Sequence, residues 1–186
     1  MASLIAVRYV VLLRGINVGG NVKVAMADLR ELLTELGYTR VRTHLQSGNA
    51  VLSSSQRSPE TMAAAIEQAI AERLGLSVRC LILTPDQLRA VVTGNPLAEV
   101  ATNPSRMFVH FLFGPVSQDR LGDVDPAEYQ PERFALRGHE LYVWLPDGMA
   151  KSRVLKLLTE RRLGCPVTVR NWNTVTKLLE LAEEEA

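Results

Sequence analysis

The order of short apolar runs and helical stripes constrains the fold of this chain more than any other feature. Residues 7–13 form an apolar run typical of a buried strand, and apolar side chains then recur with helical spacing up to Leu36. The first half is predicted to contain, in order, a strand at 7–13, a helix at 26–36, strands at 40–45 and 50–53, a helix at 58–74, a strand at 78–83 and a helix opened at 84–86. This β-α-β-β-α-β order, with one extra helix, is that of the ferredoxin-like fold.

A weaker version of the same order restarts after a loop rich in Pro, Asn and Thr. The second half is predicted to contain a strand at 107–113, a short helix within 116–129, strands at 134–136 and 141–145, a helix at 150–163, a short strand at 166–169 and a last helix. We therefore predict an α+β fold of two ferredoxin-like units, the second degraded, each followed by an extra helix. The predicted division is a first unit at 1–94, a linker at 95–105 and a second unit at 106–186. Within this repeat, the turn at 47–49 is predicted to match residues 137–139.

The composition excludes several classes of protein. The 21 lysines and arginines balance 20 acidic residues, so no strong overall field attracts nucleic acid or a membrane. The two cysteines imply no disulfide framework, which fits a reducing cytosol. No segment approaches the roughly 20 apolar residues that span a bilayer, and the N-terminal residues do not form a convincing signal peptide. We therefore expect a cytoplasmic protein without membrane contact, and the oligomeric state stays open.

A glycine-rich loop at residues 14–20, called loop 14–20 below, is the strongest candidate for a binding site. It lies between the first strand and the first helix, where backbone N–H groups can hold an anion. Its pattern matches neither the phosphate-binding loop of nucleotide-binding proteins nor the dinucleotide-binding motif. The alternative, that the glycines only allow a tight connection between strand and helix, stays open. The candidate ligand residues are Arg14, Asn17, Gly19, Gly20, Asn21 and Lys23.

A second polar segment at residues 46–49, called turn 46–49 below, is predicted to lie beside this loop. In the ferredoxin-like order the first two strands run in the same direction, so the segments that follow them lie at one edge of the sheet. Gln46, Ser47 and Asn49 would then orient an anionic or phosphate-bearing small ligand held by Arg14. The alternative is ordinary hairpin chemistry, in which serine, glycine and asparagine are common.

Other polar groups give weaker signals. No nucleophile motif or acid–base pair lies beside the loop, so the sequence leaves open whether the protein is an enzyme. The three histidines lack metal-ligand spacing, and we predict neither a metal site nor a cofactor. Arg170, Asn171 and Asn173 are second-tier site candidates. Either asparagine can cap the last helix, and Arg170 could reach a ligand or pair with an acid such as Glu128 or Glu132.

Two alternative functions stay open. A basic segment near the C-terminus is compatible with phosphate contacts to nucleic acid, although a solvated helix face is the commoner explanation. A protein-interaction module, including self-association, is the other alternative. The basic residues concerned are Lys151, Arg153, Lys156, Arg161, Arg162 and Arg170.

Three segments together resemble a bacterial family known as domain of unknown function 1697: residues 11–20, residues 46–49 and residues 170–174. The resemblance extends over nearly the whole chain. It implies a cytosolic protein of two α+β units with no established activity, and it supplies no catalytic residue. His44 stands where the family commonly has an aromatic residue, usually tyrosine.

Overall fold

The computed structural model describes residues 6–19, 22–56, 58–116 and 118–184, which form two compact units. The first unit comprises residues 1–89 together with 177–186, and the second comprises residues 90–176. Each contains a four-stranded antiparallel sheet with helices, so the predicted α+β class is confirmed. The grouping puts the C-terminal ten residues with the first unit rather than the second, and whether the units are independent domains stays a prediction.

The first sheet has the strand order β2-β3-β1-β4, and every neighbouring pair is antiparallel. This is the order expected for a ferredoxin-like unit. Its elements are β1 (Val7–Leu13), α1 (Met26–Glu35), β2 (Thr39–His44), β3 (Asn49–Ser54), α2 (Pro59–Leu74), β4 (Cys80–Leu83) and the extra helix α3 (Pro85–Thr93).

In helix α2, the residues that mark its two ends in the sequence also cap it in the structure, and its apolar stripe is buried. The Ser58 side chain accepts a hydrogen bond from the Thr61 N–H, Pro59 occupies the first turn, and Gly75 ends the helix with φ 66°. The apolar stripe of the helix is fully buried in a core that it shares with α1 and one face of the sheet. Along β1 this face carries alternate residues such as Val11, and the opposite face carries Arg8 and the residues in phase with it.

The second sheet repeats the first, with the order β6-β7-β5-β8 and the same antiparallel pairing. Its core lies on one face, where Leu112, Leu141 and Val143 pack with Val154 and Leu158. The elements are β5 (Met107–Leu112), β6 (Arg133–Arg137), β7 (Glu140–Trp144), α4 (Arg153–Leu157), α5 (Glu160–Leu163), β8 (Val167–Asn171) and the last helix α6 (Trp172–Glu183), whose residues from 177 onwards are grouped with the first unit.

The second unit is degraded where helices cross over between strands. Two short 3-10 turns, Gln118–Arg120 and Pro126–Tyr129, stand in the position that α1 has in the first unit. The single helix predicted at 150–163 is wrong, because the chain forms α4 and α5 separately. The hydroxyl of Ser152 accepts the Leu155 N–H and that of Thr159 accepts the Arg162 N–H, so each hydroxyl starts a new helix.

Backbone hydrogen bonds align the two units residue by residue. Leu13 N donates to Gly48 O at 2.8 Å, and Leu112 N donates to His139 O at 3.0 Å. Gly48 therefore corresponds to His139 rather than to Gly138, and the match predicted between the turns is wrong by one residue. The sequence similarity was too short to define the register, whereas the ladder defines it through bond geometry.

Candidate functional site

Loop 14–20 and turn 46–49 lie against each other at the end of β1, as the topology predicted. Besides the bond from Leu13 N to Gly48 O, the Asn17 Nδ2 donates to Gln46 O at 2.6 Å. Gly48 is buried at the point of contact, where a built Cβ would lie 2.8 Å from the Ile16 Cδ1. Two segments whose bonded residues, Asn17 and Gln46, are 29 positions apart thus form one polar edge of the first sheet.

Asn17 holds this edge together. Its Nδ2 donates to Val24 O at 2.9 Å as well as to Gln46 O, and its Oδ1 accepts the Val24 N–H at 3.0 Å. Its backbone has φ 56°, a left-handed conformation that asparagine tolerates better than most residues. The side chain therefore acts as a brace between loop and turn, and its role in the site is positional.

Replacing Asn17 with alanine should lower the free energy of unfolding by about 1–2 kcal/mol, because three hydrogen bonds are lost and a left-handed residue loses its side-chain support. Urea denaturation measures the change. As a control, Asn173→Ala removes an asparagine whose amide makes a single, exposed side-chain bond to Ser105 Oγ, and it should change stability by less than about 0.5 kcal/mol. Equal losses in the two variants would contradict the brace.

Hydrogen bonds of the Asn49 side chain, one of them to Ser47, stabilise the hairpin turn between β2 and β3. Asn49 is fully buried, and its Nδ2 donates to His44 O and to Ser47 Oγ, both at 2.9 Å. Gln46 is exposed and Ser47 is half-buried. Of the three predicted ligand residues in this turn, Asn49 is therefore committed to the turn, and Gln46 and Ser47 are the ones nearer to solvent.

Along loop 14–20 the backbone dihedral φ is positive at every second residue from Gly15 to Gly19. Gly15, Asn17 and Gly19 have φ values of 70°, 56° and 65°, whereas Ile16 and Val18 between them have none in this left-handed range. The Asn17 N–H is committed to Val22 O at 2.7 Å, so the backbone donors available to an anion are those of the exposed residues Gly15, Val18 and Gly19. Gly20 and Asn21, which the sequence analysis also selected, lie outside the described residues. Lys23 is exposed close to the loop.

Two arginines face each other where β1 and β4 end. The pairing of Leu13 with Cys80 continues by one residue, because Arg14 N donates to Arg79 O at 2.8 Å. Residues directly opposite in an antiparallel pair share a face, with Cβ atoms about 5 Å apart, and like charges in such a pair are unfavourable. Arg14 is half-buried and Arg79 is exposed. An anion bound between two such cations would be favourable for both.

The sequence analysis missed Arg79, because its predicted start for the fourth strand differs from the observed start by two residues. In the predicted order the fourth strand is antiparallel to the first, so the residue before its start lies beside the residue after the end of the first. Arg79 directly precedes β4 and Arg14 directly follows β1. The fourth strand was predicted to begin at Val78, so the topology alone would have placed Ser77 beside Arg14, and only the observed start at Cys80 gives Arg79.

The C-terminal candidates lie in the second unit. Arg170 is 5% exposed and donates to Thr168 Oγ1 at 2.8 Å and to Val169 O at 2.9 Å. Burial lowers its pKa to about 10. Asn171 Oδ1 accepts the Asn173 N–H at 3.0 Å, which confirms Asn171 as the cap of α6. Glu132, considered as a partner of Arg170, instead binds the start of α4 through Ser152 Oγ at 2.6 Å.

Nucleophilic and metal chemistry find little support in the described part of the chain. Burial raises the pKa of the Cys80 thiol to about 12 and also raises that of Cys165, so neither is a thiolate at neutral pH. Among the described residues, no group of three or more His, Cys, Asp or Glu side chains is arranged to hold a metal ion. None of the helices found there has the length and apolar character needed to cross a bilayer.

Comparisons with known proteins identify relatives of the chain but no activity. The family model described as "Protein of unknown function (DUF1697)" matches residues 7–142. A solved structure described as that of conserved bacterial protein SP0830 from Streptococcus pneumoniae is similar to this chain, with a TM-score of 0.74 at 24% identity. The match covers 96% of this chain and 99% of that one, and at this identity it shows a common fold alone. No curated protein matches the chain.

Proposed function

The chain belongs to the family of unknown function DUF1697, and on that premise we propose that it binds an anionic or phosphate-bearing small ligand at the edge formed by loop 14–20 and turn 46–49. Arg14 and Arg79 supply the charge, and the exposed backbone of loop 14–20 at Gly15 and Gly19 supplies N–H donors. Gln46 and Ser47 supply neutral groups that orient the ligand. Whether a reaction follows binding is a separate question.

The observation that carries the proposal is the comparison of the arginine pair with its counterpart in the second unit. There Phe113 N donates to Pro166 O at 3.0 Å, which reproduces the backbone bond between Arg14 and Arg79. The fold therefore forms the same strand ends with an aromatic residue and a proline. Since the architecture does not require charge at these positions, two opposed arginines in the first unit call for a functional explanation.

The binding free energy expected from two arginines is compatible with the affinity of a protein for a small metabolite. A hydrogen bond to a charged group contributes about 1.5–3 kcal/mol, so two arginines contribute about 3–6 kcal/mol to binding. This corresponds to dissociation constants from several millimolar to tens of micromolar. At 10 mM phosphate and a dissociation constant of about 0.1 mM, the folded state would gain about 2.7 kcal/mol.

Phosphate titration of charge-neutralised variants tests the proposal. Inorganic phosphate and pyrophosphate should stabilise the wild type in thermal unfolding, and Arg14→Gln and Arg79→Gln should each weaken their binding by about 10- to 100-fold. The matched control is Arg30→Gln, because the Arg30 guanidinium lies on α1 and makes one exposed bond to Thr43 Oγ1. The proposal fails if phosphate stabilises the wild type no more than the Arg14→Gln variant.

Nucleic acid is the less supported ligand. Of the basic residues at 151–170, Arg170 is buried and Arg162 pairs with Asp123. Arg153 lies over the Tyr129 ring, 5.2 Å from its centroid. Three of the six basic residues are thus occupied by a core, an ion pair or a ring contact, and the other three are exposed, so fewer cations are available for phosphate contacts than the sequence suggested.

A further inference from the structure

A second group of arginines lies on the first sheet, at the opposite end of β1 from loop 14–20. Arg8 lies at the start of β1, and Arg40 and Arg42 lie on β2; these three residues are called the arginine cluster below. The Arg8 Nη1 donates to Arg40 O at 3.1 Å and to Ser53 Oγ at 3.4 Å. Burial lowers the pKa of Arg8, the charges of Arg40 and Arg42 lower it further and that of Glu184 raises it, so both other arginines lie close enough to act on Arg8.

Within the first unit, this cluster contacts the C-terminal end of α6. The Arg8 Nη2 donates to Leu181 O at 2.9 Å, and the Arg40 Nη2 donates to Glu184 O at 3.4 Å. Arg42 forms an ion pair with the carboxylate of Glu184. The last carbonyls of a helix carry partial negative charge, so cationic side chains are favourable here.

The arginine cluster carries more positive charge than the single acidic side chain paired with it among the described residues can neutralise. In the described part of the chain, Glu184 is the one acidic residue that pairs with these three arginines. The Nε of Arg8 is buried and has no hydrogen-bond partner among the described residues. Arg40 has φ 52°, and a bulge interrupts the pairing of β2 with β3 beside it. An arrangement with surplus cationic donors is suited to an oxyanion with several acceptor oxygens.

The second unit shows that the fold does not need this cluster. Arg8 pairs with Ser53 across β1 and β3, and the corresponding pair in the second sheet is Met107 with Trp144. Arg42 likewise corresponds to Ala135, because Arg42 is opposite Val51 and Ala135 is opposite Tyr142. The same sheet positions are filled there by apolar side chains.

We propose that the arginine cluster is a second oxyanion site, in which the Glu184 carboxylate is a weakly held internal occupant that a phosphate-bearing ligand displaces. The side chains of Arg42 and Glu184 are 52% and 46% exposed. Exposed ion pairs of this kind change an equilibrium by at most about fivefold, so displacement of Glu184 has a small effect on affinity. The ligand binds the guanidinium N–H donors of Arg40 and Arg42, and the half-buried Arg8 adds positive charge beside them.

The experiment uses the full chain carrying Arg14→Gln, which removes the main cation of the loop site. Inorganic phosphate is titrated while NMR follows the side-chain N–H signals of Arg8, Arg40 and Arg42. We expect saturable shifts of these signals. Adding Arg42→Gln should weaken binding at least tenfold, and adding Glu184→Gln should strengthen it about two- to fivefold, because the internal competitor is neutralised. Glu180→Gln is the matched control, since that carboxylate pairs with Lys177, and it should leave the affinity unchanged.

Three results would overturn the proposal: no phosphate-dependent shift of these signals, binding that survives Arg42→Gln, or weaker binding after Glu184→Gln. Unfolding of the double variants is checked by circular dichroism, and the same titration of the wild type follows the same arginine signals if Arg14→Gln disturbs folding. The NMR signals belong to these three side chains alone. A negative result for phosphate binding at loop 14–20 therefore does not affect this test, and a negative result in this test does not affect the proposal for loop 14–20.

Discussion

Replacing Gly48 with alanine is expected to lower the free energy of unfolding by about 2–5 kcal/mol. Gly48 has φ 79°, and a left-handed conformation costs a non-glycine residue about 1–2 kcal/mol. The new methyl group would also lie 2.8 Å from both the Leu13 Cβ and the Ile16 Cδ1, and overpacking of a buried position adds about 1–3 kcal/mol. Urea denaturation of the variant measures the sum.

Gly138→Ala is the matched control for this change. Gly138 also lies in a hairpin turn and has φ 61°, but its built Cβ meets only the Glu140 Oε2, at 3.5 Å, which is an ordinary contact. Only the backbone strain of about 1–2 kcal/mol should appear there. If the two variants lose equal stability, the close approach of Ile16 and Leu13 to the turn contributes nothing and this account of the loop–turn contact is wrong.

Gly48→Ala also connects stability with binding. Because Gly48 lies where loop 14–20 contacts turn 46–49, pushing the two apart moves Gln46 and Ser47 away from Arg14. Under conditions in which the variant is still folded, its phosphate affinity should fall as well, whereas Gly138→Ala should bind like the wild type.

The stability of the second unit is expected to depend on His110 between pH 6.5 and pH 4. His110 lies on β5, 3% exposed, and its Nε2 has no hydrogen-bond partner among the described residues. Burial lowers its pKa to about 4, below the value of about 6.5 expected in the unfolded chain. Between these values the unfolded state binds the proton first. Stability is therefore complete above pH 6.5, falls as the pH decreases, and has lost about 3 kcal/mol by pH 4.

His110→Leu isolates this contribution from that of the carboxylates, which titrate in the same range. The variant replaces an unpartnered polar ring with an apolar side chain, so its stability at pH 7 should equal or exceed that of the wild type. The difference in unfolding free energy between the two proteins, measured by denaturation at intervals from pH 7 to pH 4, should grow by about 3 kcal/mol as the pH falls. A difference that stays constant over this range would show that His110 does not titrate with folding.

Much of the fold could be predicted from local patterns. The bounds of β1 agree with the apolar run at 7–13, and Ser58, Pro59 and Gly75 mark the ends of α2 through backbone chemistry that is local to them. The failure at 150–163 has a similar origin. Ser152 and Thr159 are both good caps and tolerated helix residues, and periodicity alone does not separate these roles.

The candidate site was predictable only in part. The position of turn 46–49 beside loop 14–20 followed from the strand order, because parallel strands end at a common edge. The uses of the individual side chains did not follow, since Asn17 and Asn49 act as braces through partners that are distant in sequence or set by the turn geometry. Arg79 was missed because the fourth strand was predicted to begin two residues before its observed start at Cys80.

The amino-acid sequence by itself determined the order of the elements in the first unit, the repeat, the family and the location of the polar edge. These depend on hydrophobic periodicity, caps and short motifs, which act between neighbouring residues. Only the tertiary structure decided that Arg14 is opposite Arg79 and that Arg8, Arg40 and Arg42 meet Glu184. Strand register depends on contacts between residues far apart in the sequence, and so does the return of the C-terminal residues to the first sheet. These contacts decide which charges lie within a few ångströms of each other, the distance at which electrostatic energies become significant.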